Sequence, residues 1–226
     1  MKIFADGADL EQMELLSVSQ KVEGFTTNQS LMRKSGIKDY KAFGKTMLEL
    51  ANGRPVSFEV LADEFGEMES QAREIASWGS NVFVKLPITT TRGEFSPDLI
   101  ERLNDDGIHL NITAVLTRGQ IVQATNALGD GEHILSVFAG RISDCGKDPT
   151  PTVRFAAVKA HKANTQVLWA SARQAYDYVL AEEAGADIIT LPMDLIAKLW
   201  MFGRDLEEYS LETVKQFHSD AQGITL

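Results

Sequence analysis

Apolar positions along this chain follow two alternating periods, one suited to strands and one to helices, from one end to the other. Residues 2–5 are strand-like, and residues 9–20 carry Leu10, Met13 and Leu16 at helical spacing. Residues 23–26 form a second strand, after which Tyr40, Phe43, Met47 and Leu50 keep to one helical face. A third strand at residues 56–62 precedes a helix around residues 68–78. The fourth strand, residues 81–87, is mainly β-branched and aromatic, with one lysine, Lys85, near its C-terminal end. Ser96 and Pro97 then supply an N-cap and a first-turn proline for a helix ending at Gly107. Strands at 109–116, 133–139, 166–170 and 187–191 alternate with helices at 120–128, 151–163, 174–184 and 194–202. A last helix, residues 211–220 in a tail spanning 204–226, has no strand left to pair with and is expected to pack on a neighbour.

Eight strand–helix units predict one (β/α)8 TIM barrel over residues 1–226, compact beside the usual size of about 250 residues, with an extra C-terminal helix. An open doubly wound sheet is the alternative. The count of eight and the lack of a Gly-x-Gly-x-x-Gly turn disfavour it. No linker rich in Pro, Gly or Ser divides the chain.

Composition narrows the chemistry. A formal charge of -10 and a pI near 4.9 disfavour a nucleic-acid or anionic-membrane partner, because both would repel the surface. The single cysteine, Cys145, excludes an internal disulfide and suits a reducing compartment. Neither a signal peptide nor an apolar run long enough to span a bilayer is visible, so a cytoplasmic protein is expected. His109, His133, His161 and His218 lie far apart, without ligand spacing, and no P-loop is present. Neither a metal nor a cofactor is expected.

In a barrel, alternate residues of each strand point inward and functional groups gather at the C-terminal ends. On that parity the mouth collects Asp6, then Gly24, Thr26 and Asn28, then Ser57 and Glu59, then Phe83 and Lys85. The later strands add Asn111 and Thr113, Ser136 and Phe138, and Trp169 and Ser171. Desolvation favours a neutral amine at a buried lysine, and a neutral amine attacks carbonyls. The bland alternative for Lys85 is an edge-strand lysine that snorkels to water. Asp6 and Asn28 could each be helix N-caps. Glu59, in the apolar run Val-Ser-Phe-Glu-Val-Leu, needs a cationic partner, and Lys85 could form a purely structural pair with it. Arg141, Ser171 and Arg173 follow the sixth and seventh strands and could grip a phosphate, or be surface residues.

These segments, in order, are Phe4-Ala-Asp6-Gly, Gly24-Phe-Thr-Thr-Asn28, Val56-Ser-Phe-Glu59-Val, Phe83-Val-Lys85-Leu-Pro, Asn111-Ile-Thr113, Ser136-Val-Phe138-Ala-Gly-Arg141, Ala170-Ser171-Ala-Arg173 and Gly185-Ala-Asp-Ile. Together they resemble the transaldolases, and within them the short transaldolase and fructose-6-phosphate aldolase branch. The resemblance implies a metal-free class I mechanism in which Lys85 forms a Schiff base with a ketose phosphate. It assigns Asp6 the proton of the C4 hydroxyl, and Glu59 and Thr113 the water that shuttles protons. Asn28 and Asn111 would hold substrate hydroxyls, Thr26, Ser136 and Phe138 would line the substrate site, and Ser171, Arg173 and Arg141 would hold the phosphate.

Dedicated fructose-6-phosphate aldolases carry Gln and Tyr where this chain has Glu59 and Phe138. A tyrosine hydroxyl helps water protonate the enamine, and Phe138 has none, so transfer to a second aldehyde is the expected activity. A lyase releasing dihydroxyacetone, or a transaldolase-like enzyme of a specialised sugar pathway, is the alternative, and a non-catalytic sugar-phosphate binder is a third reading. The resemblance also implies a homo-oligomer, pentamer or decamer. It departs at Gly7, where Thr is usual, at Gln29, where Pro is usual, in the stretch after Pro87, and at the bulky Trp169. All four are read as lying near the mouth, where they bear on substrate identity.

Overall fold

Parallel strands covered on both faces need side chains that pack inward and outward alike, and the strand segments of this chain supply both. The computed structural model describes residues 1–225; Leu226, the end of the expected tail, lies outside the described residues. Eight parallel strands close into a barrel in chain order. They are β1 (Lys2–Asp6), β2 (Val22–Thr26), β3 (Val56–Glu59), β4 (Val82–Pro87), β5 (Leu110–Val115), β6 (His133–Val137), β7 (Thr165–Trp169) and β8 (Ile188–Leu191). The helices are α1 (Leu10–Ser17), α2 (Gln29–Lys34), α3 (Tyr40–Ala51), α4 (Phe65–Ala76), α5 (Pro97–Asp105) and α6 (Arg118–Ala127), followed by α7 (Ala139–Asp144), α8 (Thr150–Ala160), α9 (Asp177–Ala184), α10 (Met193–Leu199) and α11 (Leu206–Asp220). The expected (β/α)8 barrel with an extra C-terminal helix is the fold of the chain.

Two cores hold it. Phe4, Phe83, Ile134, Leu168, Ala170 and Ile188 fill the barrel interior. A larger layer between sheet and helices is built from residues such as Phe25, Phe58, Val84, Ile112, Val137 and Trp169. Capping fixes where several helices start: Asp9 accepts from the Gln12 amide, Ser96 from Leu99, and Thr117 forms a reciprocal capping box with Gln120.

Several boundaries differ from the expected ones. The third strand stops at Glu59 rather than 62, because the amides of Leu61 and Ala62 donate to the Gln71 side chain at 2.7 and 3.0 Å instead of to a neighbouring strand. The sixth stops at Val137 rather than 139, because Phe138 turns the chain into α7. Helices α2 and α7 were not expected; at six residues each they are too short to show a period. The helix expected from 174 begins at Asp177, whose carboxylate accepts from the amides of Arg173 and Gln174. The tail helix begins at Leu206 rather than 211, because Asp205 caps it by accepting from the amides of Glu207 and Glu208, both at 2.9 Å.

His133, which opens β6, is buried: its Nδ1 accepts from the Leu110 amide at 3.2 Å, and its Nε2 lies 2.8 Å from Asn104 Oδ1. Burial, with His109 nearby, pushes its pKa down from 6.5 to about 4. A depressed pKa means the unfolded chain binds the proton more readily than the native one. Stability is therefore full above pH 6.5 and falls as the pH drops towards 4. Melting temperatures measured between pH 7 and 4.5 should show that decline, and His133→Gln should flatten part of it.

Candidate active site

In the β3–β4–β5 ladder, Glu59 pairs with Lys85 and Lys85 with Asn111, so one row across three strands carries all three side chains. Lys85 is only 5% exposed. Its Nζ lies 3.0 Å from Glu59 Oε2 and donates to the carbonyl of Thr27 at 2.8 Å. This is neither a snorkelling lysine nor one held by charge alone. Its head group opens into a cavity of about 370 Å³ at the C-terminal mouth, beside Asp6.

Asp6 does not cap a helix; Asp9 does that for α1. Asp6 Oδ1 accepts from Thr26 Oγ1 at 2.8 Å. Burial pushes the Asp6 carboxyl above the ordinary carboxylate range, opposed by the Lys85 charge and the Thr26 hydrogen bond and reinforced by Glu59. A carboxylate so placed takes up a proton more readily than one in water. Asn28 has both of the roles weighed for it, capping α2 through the Leu31 amide at 3.0 Å and lining the cavity.

On the opposite wall, the register of β5 slips between Ile112 and Val115, and Ala114 takes φ 60. That bulge turns both Thr113 and Ala114 to the cavity. The Thr113 hydroxyl is buried and has no hydrogen-bond partner in the protein, so it is free to hold a substrate or solvent oxygen. One layer deeper, Ser136 donates to Asn111 Oδ1 at 2.7 Å and Asn111 Nδ2 donates to Ser57 Oγ at 3.0 Å. Asn111 is fully buried under the cavity and does not line it, whereas Ser136 does.

Phe138, Arg141 and Ser171 stand at the far end of the cavity. The Arg141 guanidinium lies 5.4 Å from the centre of the Phe138 ring. Ser171 has φ 64, and a side chain at Gly140 would collide with its carbonyl, so only glycine lets α7 approach this turn so closely. Arg173 is not part of the cavity wall. Its guanidinium is held by Asp144 at 2.5 to 3.2 Å and donates to the Ser171 carbonyl at 3.0 Å.

Trp169 departs from the expected parity. It points outward into the helix layer, fully buried, while Leu168 and Ala170 face the cavity. Ser171 reaches the cavity because β7 has ended at Trp169 and the chain turns there. Gly7 is buried below the rim, where a side chain would meet the Met13 methyl. Gln29 does line the mouth and donates to the Val60 carbonyl at 3.0 Å. The strand parity passed over Thr190, the inward polar residue of β8, although its alternation with Ile188 was a usable signal.

A buried lysine paired with one carboxylate and facing another thus lies at the C-terminal mouth of the (β/α)8 barrel, the end at which enzymes of this fold carry their active sites. Residues 3–225 match the family Transaldolase/Fructose-6-phosphate aldolase. Proteins named probable transaldolase are similar over most of their length. The one from Dehalococcoides mccartyi is 33% identical over 201 residues (88% of this chain, 90% of that protein). That from Roseiflexus castenholzii is 35% identical over 198 residues (87% and 88%). A third, from Methanococcus maripaludis, is 32% identical over 214 residues, 94% of each chain. The chain belongs to the transaldolase/fructose-6-phosphate aldolase family, whose members are aldol-transferring enzymes.

Solved structures add the fold alone. A lyase/mutase-like protein from Burkholderia cenocepacia superposes with TM-score 0.59 at 16% identity, covering all of this chain and 87% of that one. Thiamine phosphate pyrophosphorylase from Pyrococcus furiosus does so with TM-score 0.56 at 13% identity, covering 84% and 85%.

Removing one member of a buried ion pair strands the other charge. Glu59→Ala should therefore lower stability by about 3 kcal/mol in urea denaturation at pH 7. The double variant Lys85→Met with Glu59→Ala should recover most of that loss, and a strictly additive cycle would show that the pair is not coupled.

Proposed function

We propose that this protein is a transaldolase that moves a dihydroxyacetone unit from a ketose phosphate, sedoheptulose 7-phosphate or fructose 6-phosphate, to an aldose phosphate through a Schiff base on Lys85. The observation that carries the reading is the buried Lys85 amine, held between Glu59 and the Thr27 carbonyl and opening beside Asp6. An ammonium proton of Lys85 passes to Glu59, the amine so freed adds to the C2 carbonyl, and the carbinolamine takes up a proton and loses its hydroxyl as water to give an iminium. Glu59 and the unpartnered Thr113 hydroxyl are placed to hand protons to and from that water. Asp6 then takes the C4 hydroxyl proton. The C3–C4 bond breaks, its electron pair runs into the iminium to leave an enamine on Lys85, and the C4 carbon departs as an aldehyde. An acceptor aldehyde adds by the reverse steps.

Arg141 and Ser171 are suited to the substrate phosphate. Arg173 would join them once the phosphate draws it from Asp144. Asn28 is placed for the sugar hydroxyls, and Asn111 acts from beneath through Ser136. Phe138 offers no hydroxyl to help release the enamine, which favours transfer over lysis.

The partners we propose are sugar phosphates and further copies of this chain; the charge of -10 disfavours nucleic acid and anionic membranes. No helix among the described residues is long and apolar enough to cross a membrane. With its single, unpaired Cys145, the chain fits the cytoplasm. Helix α11 buries none of its residues and exposes Leu206, Tyr209, Leu211, Val214 and Phe217. A helix cannot hold such a surface in water without cost, so we assign it to contacts within a pentamer or decamer.

Product formation from fructose 6-phosphate, with and without erythrose 4-phosphate, tests the activity. Turnover should need the acceptor, and free dihydroxyacetone accumulating without it would instead establish a lyase. Borohydride should trap a three-carbon adduct on Lys85, and Lys85→Met should abolish both adduct and turnover. Ending the chain at Arg204 should reduce the oligomer mass measured by light scattering; an unchanged mass would remove α11 from the interface.

A further inference from the structure

Thr190 is the polar side chain that β8 sends into the barrel, and it is only 5% exposed. Its Oγ1 lies 2.5 Å from Thr26 Oγ1, and Thr26 in turn donates to Asp6 Oδ1 at 2.8 Å. The direction of this chain follows from counting protons. An ionised carboxylate can only accept, so the single Thr26 hydroxyl proton is committed to Asp6. The Thr26 oxygen must then be the acceptor in its contact with Thr190, and Thr190 the donor. Three strands, β8, β2 and β1, thus contribute one link each to a chain that ends on the carboxylate.

Resting on the reading of Asp6 as the base, we propose that Thr190 is a positioning residue for proton abstraction, acting through Thr26. A hydroxyl that receives a hydrogen bond becomes a stronger donor, so Thr190 reinforces the hold of Thr26 on the Asp6 carboxylate. It also fixes which oxygen is engaged. With Oδ1 turned to Thr26, Oδ2 is the one presented to the C4 hydroxyl. The proton passes from that hydroxyl to Oδ2, its electron pair becomes the carbonyl bond of the departing aldehyde, and Thr26 and Thr190 keep their own protons. The charged groups facing Asp6 are Lys85 from β4 and Glu59 from β3, with Thr26 from β2 as its hydrogen-bond donor. Replacing Thr190 leaves the Lys85 and Glu59 charges in place, so an effect that reaches Asp6 through Thr26 is separable from theirs.

Thr190→Val keeps the shape and removes the hydroxyl; Thr190→Ser keeps the hydroxyl. The acid limb of the kcat profile should move to higher pH in Thr190→Val, with a roughly tenfold loss at pH 6 shrinking to about threefold at pH 8. KM should change less than kcat, and Thr190→Ser should bring the limb back. The Asp6 carboxyl, titrated by carbon-13 NMR without substrate and assigned against Asp6→Asn, should shift upward in Thr190→Val. An unmoved titration in a folded Thr190→Val protein overturns the proposal whatever the kinetics show. If Thr190→Val does not fold, Thr190→Ala gives the same readout. Full turnover in Asp6→Asn would overturn the base assignment instead, while the titration would still decide whether Thr190 and Asp6 are linked.

Discussion

The contact on which this site depends is the pair formed by Lys85 and Glu59, 3.0 Å apart and nearly sealed from solvent. Neither group is tolerable alone inside a barrel, because each charge loses its hydration and needs a partner in a medium of low polarity. Parallel pairing of β3 and β4 sets them in one row, and the Thr27 carbonyl takes a further ammonium proton. The backbone around the pair is held as well: Tyr40 donates to the Glu59 carbonyl at 2.9 Å and Gln29 to that of Val60 at 3.0 Å. Side chains from α3 and the start of α2 thereby fix the strand end that carries the carboxylate.

The rest of the mouth distributes polar work by depth. Phe4, Phe83 and Ile188 form an apolar cluster in the barrel interior. Ser57, Asn111 and Ser136 are joined by hydrogen bonds, and of the three Ser136 lines the cavity. The cavity is lined by the buried, unpartnered Thr113 hydroxyl, by Asp6, and by Arg141 beside Phe138. Lys85 is nearly sealed, where low polarity strengthens its electrostatics, whereas Arg141 is open to solvent. Arg173, still tied to Asp144, sits on the wet side of that divide.

The eight strands were legible because each has its own period and its own boundary residues. The Lys85, Glu59 and Asp6 set was legible because charged residues inside apolar strands are conspicuous. Trp169 was misplaced because parity counts only within a strand, and β7 ends at that residue. Helices α2 and α7 left no periodic trace, yet one is capped by Asn28 and the other carries Arg141. The alternation of Thr190 with Ile188 marks it as inward-facing, but nothing in the sequence says which side chain it touches.

The sequence by itself determined the barrel and which charged residues lie inside its strands, since these follow from local periodicity and from how conspicuous a buried charge is. Only the tertiary structure decided which groups share protons: Thr190 with Thr26, Thr26 with Asp6, and Arg173 with Asp144 rather than with the cavity. Those contacts join residues 164, 20 and 29 positions apart. The pairing of β1 with both β2 and β8 sets the first two, and the third joins α7 to the turn after β7; no local pattern encodes a distance between strands that meet only when the barrel closes.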